Sequence, residues 1–236
     1  MTTLSAADLA KYETAQAMAR QTLVDIERFI HPGASEASLL ADCRRLMDDR
    51  GATGYWWFDV PAVLLAGPRL RDSMEGDVYL PSDRPLGPDD MLTIDVAPEI
   101  DGYWGDCARS FFLKDGVLVR PEKSGVEQAR GMAAQSALHA YLLEFSAPDM
   151  TFQQLHAEMD AQVRSLGFEN LDFLGNYGHN IGQDLHARAF IDANCTARLD
   201  SVPMFTFEPH ISRPGSFLAF KYEEIYRFES GHLRLL

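Results

Sequence analysis

The sequence predicts a mixed α/β (α+β) chain, an antiparallel sheet flanked by helices. Three observations lead there. Amphipathic stretches with helix start and stop signals open the chain and recur after residue 120. Apolar and polar residues alternate with period two on either side of a turn near residue 100. After residue 166 the pattern is one of sheet and loop.

The elements follow in order. Residues 5–30 read as an amphipathic helix, with Ser5 as N-cap and HPGAS as the stop. Residues 35–50 make a second helix that ends at Asp49-Arg50-Gly51. The region 54–66, containing YWWFDVPAVLLA, reads as strand. Its aromatic run admits two readings, core packing or, at Trp57, a wall of a substrate pocket. Trp104 admits the same two. The segment RLRDSMEGDVYLPSDRPLGPDD is a polar loop of a size that often carries function. Residues 122–145 and 151–166 read as helices. With 236 residues, the whole chain, 1–236, is of a size for one domain.

Five polar residues stand out within this frame. In LTIDV, Leu92, Ile94 and Val96 alternate with Thr93 and Asp95, as in a half-buried strand. PEIDG supplies turn chemistry, and YWGDCARSFF reads as the returning strand. A pivot between Ile100 and Asp101 sets Asp95 opposite Asp106, with Cβ atoms roughly 4.5–5.5 Å apart. Carboxylates that close repel unless a proton or a cation lies between them. A surface hairpin with solvated acids gives a similar pattern. In GHNIGQDLHARAF, Gly178 and Gly182 bracket His179, and His186 follows seven residues on. That interval is too long for a helical i, i+4 metal pair, and a hydrogen-bonded structural histidine is the competing reading. In FTFEPHI, Glu208 shares a face with Met204 and Thr206. In FKYEEIYRF, Glu223 falls on the polar face with Lys221 and Arg227, and Glu224 remains its competitor. Four carboxylates and an imidazole make a donor set suited to divalent ions with an open position for water.

Together these segments resemble the metallopeptidase family of methionine aminopeptidase, Xaa-Pro aminopeptidase and prolidase, which shares the pita-bread fold with creatinase. The likeness runs from about residue 10 to residue 229. DGYWGDCARSFF is similar to the proline-peptidase pattern DGY-x-x-D-x-x-RTF, with Ser110 in place of Thr. The resemblance implies a curved antiparallel sheet with a di-metal site at its centre. It implies Asp95, Asp106, His179, Glu208 and Glu223 as ligands of two divalent ions, for which manganese, cobalt, iron and zinc are all compatible. Asp95 would chelate the first ion, Asp106 and Glu223 would bridge, and His179 and Glu208 would hold the second. Glu208 would also act as general base, and His186 would hydrogen-bond the substrate carbonyl or the developing oxyanion. The implied activity is a metal-dependent exopeptidase cleaving an amide near a free N-terminus.

The chain also departs from the family pattern. Val78 stands where the proline peptidases carry a substrate-contacting His. Ala187 replaces a Glu, His210 a Gly and Lys221 an Arg, and the resemblance covers no counterpart of the usual N-terminal domain. Val78 therefore favours, as an alternative, a lyase or amidohydrolase of the same fold acting on a small metabolite. A non-catalytic binding module is a second alternative, opposed by the five filled ligand positions.

The formal charge of −14 disfavours nucleic acid or an anionic membrane as partner, and suits a small peptide or amide substrate with a free amine. Three cysteines without a CxxC pair read as reduced thiols. The polar N-terminus is unlike a secretory signal, and no apolar run reaches the ~20 residues of a membrane span. A cytoplasmic protein is expected, and a homodimer is compatible with it.

Overall fold

Two helix pairs each lie against their own sheet. The computed structural model describes residues 4–183 and 187–236, with the backbone alone at Trp56 and Trp57. The first pair is α1 (Ala6–Asp25) and α2 (Glu36–Asp48). The Ser5 hydroxyl accepts from the Asp8 amide at 3.1 Å and caps α1, whose last predicted turn is instead a 3₁₀ turn over Ile26–Phe29. Ser35 and Ser38 close a reciprocal capping box on α2. These helices cover a four-stranded antiparallel sheet in the order β1 (Ala62–Ala66), β2 (Met91–Val96), β3 (Cys107–Lys114), β4 (Val117–Val119).

The second pair is α3 (Val126–Phe145) and α4 (Phe152–Ser165), the latter capped by a Thr151–Gln154 box. The later strands are β5 (Glu169–Asn170), β6 (Asn180–Ile181), β7 (Met204–Phe207), β8 (His210–Ser212), β9 (Ala219–Lys221), β10 (Glu224–Glu229) and β11 (His232–Leu235). They form a four-stranded sheet, β11-β10-β7-β6, and a three-stranded one, β9-β8-β5.

Each half has its own apolar core. Leu23, Leu39, Met47, Leu64 and Ile94 belong to the first, and Leu138, Phe152, Phe205, Phe207 and Phe220 to the second. A smaller cluster of Tyr12, Tyr103, Trp104, Ile181, Met204 and Ile225 draws on both halves.

One expectation needs correction. The strand anticipated over 54–66 is interrupted. Gly54–Tyr55 pairs in a small separate sheet, and a helical turn over Trp56–Asp59 precedes β1. Phe58 and Asp59 take positive φ there, so the chain reverses before Pro61 and cannot stay extended. The long loop 69–90 is as expected without extended structure, apart from one 3₁₀ turn over Gly76–Val78. Cys43, Cys107 and Cys195 are free thiols. Among the described residues no helix is long and apolar enough to cross a membrane.

Gly105 shows how tightly α1 seats on the sheet. A Cβ there would lie 2.4 Å from the Ala15 carbonyl oxygen, and backbone cannot yield as a flexible side chain can. Gly105→Ala is expected to lower stability by about 1–3 kcal/mol in thermal or urea denaturation. An unchanged midpoint would show that α1 is not held against this turn.

Candidate metal centre

Asp95 and Asp106 come from the first half, and His179, Glu208 and Glu223 from the second. The hairpin between the two aspartates turns one residue later than the sequence suggests. Glu99 pairs with Trp104 and Ile100 with Tyr103, and Asp95 pairs with Ala108. The pivot therefore lies between Asp101 and Gly102. Both take positive φ, 51° and 82°, as a two-residue Asp-Gly turn of the primed type requires. Asp95 and Asp106 are thus not directly opposed. A two-residue offset keeps the same face, because side chains alternate with period two. The carboxylates are left diagonal, a relation of about 7–8 Å between neighbours.

Backbone clamps hold the other four positions. Gln16, fully buried on α1, grips the Asp106 peptide from both sides. Its amide nitrogen donates to the Asp106 carbonyl at 2.9 Å, and the Asp106 amide donates to its oxygen at 2.8 Å. His179 follows Gly178, where a Cβ would meet the Thr206 carbonyl at 2.3 Å. The His179 amide donates to the Thr206 hydroxyl, and the Thr206 amide returns a bond to the His179 carbonyl at 2.7 Å. Glu208 follows β7, with its amide bonded to the Tyr177 carbonyl at 2.9 Å. Gln135, buried on α3, donates to the carbonyls of Pro209 and Phe220. At Glu223 the amide donates to Ala108, and the carbonyl accepts from Arg109 at 2.8 Å. Ser110 binds the Lys221 backbone in both directions, at 2.9 and 3.0 Å.

The clamped groups converge. Donor atoms of Asp95, Glu208 and Glu223 lie within 4.8 Å of one another. His179 Nε2 is 3.7 Å from both Asp106 Oδ2 and Glu208 Oε1. His179 Nδ1 is 3.0 Å from the Asn180 carbonyl, so that nitrogen carries the proton. Burial pushes the His179 pKa down and keeps the imidazole neutral. Its Nε2 therefore turns a lone pair toward two carboxylates, which is the tautomer a metal ligand needs. Glu223 is 1% exposed, and neither of its carboxylate oxygens has a hydrogen-bond partner among the described residues. Stranding such a group without compensation is costly, and a cation between the carboxylates provides the compensation. The residues thus fit a divalent ion.

Burial, then the neighbouring Asp95 and Glu208 charges, hold the Asp106 carboxyl well above its ordinary value. Glu223 is likewise raised by burial, then by Asp106 and Glu208. Burial also opposes the charge of Glu208, but Lys221 holds this carboxyl below the usual range. Lys221 Nζ lies 2.5 Å from Asp95 Oδ2 and 2.9 Å from Glu208 Oε2. Its ammonium is held well above its ordinary value by Asp95 and Glu208, against burial.

Glu223 and its neighbour have separate surroundings. Glu224 accepts from Gln16 at 3.1 Å, from Arg20 at 2.6 Å and from Arg109. Its carboxylate is part of the packing beneath α1.

Asp95, Asp106, His179 and Glu208 border a cavity of about 210 Å³, whose walls include Asp72, Glu75, Asp172, Arg188, Phe173 and Phe190. The loop over 69–90 supplies Asp72 to Gly76 of that wall. Other expected residues lie elsewhere. His186 and the side chain of Trp57 fall outside the described residues. Trp104 packs with Tyr12 and Met204 and is not among the cavity residues. Val78 is 62% exposed and also outside the lining. His210 does line the cavity, but its Nε2 donates to the Leu70 carbonyl at 2.8 Å, and burial lowers its pKa to about 4. The neutral ring has no second N–H to offer a substrate carbonyl.

Sequence reasoning missed the clamps and the two cations. Gln16 is a polar residue within the buried stripe of Tyr12, Ala15 and Ala19, and that position was a signal. Lys221 stood out only as a departure from the family, and Arg188 gave no signal.

Glu223→Gln is expected to lower metal content with little loss of metal-free stability, since it removes a carboxylate that has no hydrogen-bond partner among the described residues. Glu224→Gln should keep the metal and cost about 1–3 kcal/mol, because it weakens bonds to two arginines. Elemental analysis and denaturation of both variants check this, and the opposite pattern would exchange the two roles. Metal binding must also displace the protons that burial keeps on Asp106 and Glu223. Affinity should therefore rise as pH rises above the ordinary carboxylate range, with proton release measurable by titration calorimetry in buffers of different ionisation heat. A pH-independent affinity would contradict this electrostatic account.

The model of metallopeptidase family M24 matches residues 10–230. Methionine aminopeptidase B of Synechocystis sp. is 25% identical over 224 residues, covering 89% of this chain and 76% of that protein. Methionine aminopeptidase of Chlamydia trachomatis serovar D is 26% identical over 136 residues, 56% of this chain and 43% of that protein. The probable dipeptidase PepE of Mycobacterium tuberculosis is 27% identical over 80% of this chain and 46% of that protein. The chain thus spans less than half the length of the chlamydial and mycobacterial relatives. Among solved structures, the X-Pro aminopeptidase of Thermotoga maritima superposes with a TM-score of 0.77, at 20% identity, over 98% of this chain and 61% of that one. Methionine aminopeptidase of Rickettsia prowazekii gives 0.75 at 18% identity, over 100% of this chain and 98% of that one. These likenesses establish the pita-bread fold. The family match covers nearly the whole chain, and the chain belongs to metallopeptidase family M24.

Proposed function

We propose that this protein is a metal-dependent exopeptidase that cleaves an amide bond near a free N-terminus. The observation that carries the proposal is the Glu223 carboxylate, which has no hydrogen-bond partner among the described residues, beside Asp95 and Glu208, with the His179 lone pair turned toward the same group. In this proposal Asp95, Asp106, His179, Glu208 and Glu223 hold divalent metal. The ion supplies Lewis acidity and brings the pKa of a water toward neutrality.

The chain's own groups do the rest. Glu208 is ionised beside Lys221 and positioned to take the proton of the attacking water. His186 is the proposed donor to the substrate carbonyl. Asp72, Glu75 and Asp172 give the cavity a negative wall suited to a substrate ammonium, and Phe173 and Phe190 give it an apolar one. Three free thiols accord with a cytoplasmic location. A second reading, a non-peptidase metalloenzyme of the same fold, is favoured by position 78, which presents an exposed valine away from the cavity.

A panel of aminopeptidase substrates, dipeptides and small amides separates the two readings. The expected outcome is EDTA-sensitive release of an N-terminal residue, reduced by about 10²–10⁴-fold in Glu208→Gln. Turnover of small amides alone would favour the second reading. Xaa-Pro dipeptides are expected to be about 10²-fold or more poorer in kcat/KM than other dipeptides, since no imidazole at position 78 reaches them. Val78→His alone should recover little, because that position faces solvent. Efficient Ala-Pro cleavage by the parent protein would refute this specificity.

A further inference from the structure

We infer that the Lys221 ammonium takes the place of one cation, so that the site holds a single divalent ion, on its His179 side. The inference rests on the metal-dependent reading above and fixes the number and position of the ion. The Asp95–Glu208–Glu223 group has the spacing of a cation site. One edge of it is already filled. Lys221 Nζ lies 2.5 Å from Asp95 Oδ2 and 2.9 Å from Glu208 Oε2, with its side chain 18% exposed.

A divalent ion bound to those same two oxygens would sit about 2.0–2.2 Å from each. That would bring it within a few ångströms of the ammonium, where the repulsion of like charges in a buried site is large. The ammonium and the ion therefore exclude each other at this edge. The His179 side is different. There Nε2 faces Asp106 Oδ2 and Glu208 Oε1 at 3.7 Å each, whereas the Lys221 ammonium is paired with Asp95 Oδ2 and Glu208 Oε2.

Ser110 bonds the Lys221 carbonyl and amide and so sets the point at which its side chain leaves the end of β9 toward Asp95 and Glu208.

The test is the metal-to-chain ratio after saturation with Mn²⁺ and removal of free ion, in the parent and in Lys221→Met, which keeps the stem and loses the charge. The expected ratio is one in the parent and two in the variant, a twofold rise. A second readout needs no variant. Electron paramagnetic resonance of the Mn²⁺-loaded parent should show an uncoupled six-line spectrum, whereas two bridged ions give an exchange-coupled one. A parent that binds two ions, or couples them, overturns the inference and leaves the metal reading intact. A folded Lys221→Met that stays at one also overturns it, since Lys221 would not be the reason. No bound ion in either protein would overturn the metal reading itself. Should Lys221→Met fail to fold, the resonance spectrum of the parent decides.

Discussion

The structure depends on keeping four carboxylates and a lone pair together in a place with little water to screen them. Side chains that repel one another cannot hold such an arrangement, so the positions are set through the backbone. Gln16 grips the Asp106 peptide, Ala108 and Arg109 hold that of Glu223, and Thr206 and His179 bond across two strands. The carboxylate oxygens of Glu223 are left without a hydrogen-bond partner among the described residues. Protein hydrogen bonds are spent on geometry, and the functional atoms stay available for a ligand.

That division of labour follows from the two-part build. Each half buries its own core beneath its own helix pair, and each sends a buried glutamine, Gln16 from α1 and Gln135 from α3, toward the seam. Neither half holds a complete donor set. Asp95 and Asp106 meet His179, Glu208 and Glu223 only because the sheets face each other across the cavity. An ion bound there ties the halves together, so ligand binding and folding are linked thermodynamically.

Much of this was legible in the sequence. The alternation of LTIDV placed Asp95 on its face. The same rule favoured Glu223 over Glu224, and their surroundings do differ, but Glu223 lies in the break between β9 and β10, so alternation along one strand is not the reason. The hairpin pivot was misjudged by one residue, and only the period of two kept both aspartates on one face. The dipeptide Asp101-Gly102 carried the information, since its positive φ pair sets the turn. The break at Trp56–Asp59 was not readable, because aromatic residues favour strands and nothing local announces a reversal. Lys221 was visible as an unusual residue, but its partners are remote in sequence, 126 residues away in the case of Asp95. Tertiary proximity of that kind has no local signature.

The Gln16 amide also bears on how the protein ages. Its nitrogen donates to both the Asp106 carbonyl and Glu224, and its oxygen accepts from the Asp106 amide. Both N–H bonds and a lone pair of the oxygen are in use. Deamidation exchanges one nitrogen for one oxygen and leaves the shape almost unchanged. A glutamate at this position would keep the bond from the Asp106 amide but set a negative charge against a carbonyl and the Glu224 carboxylate. A single hydrolytic event on the first helix, far from the cavity in sequence, would thus loosen a ligand without touching it.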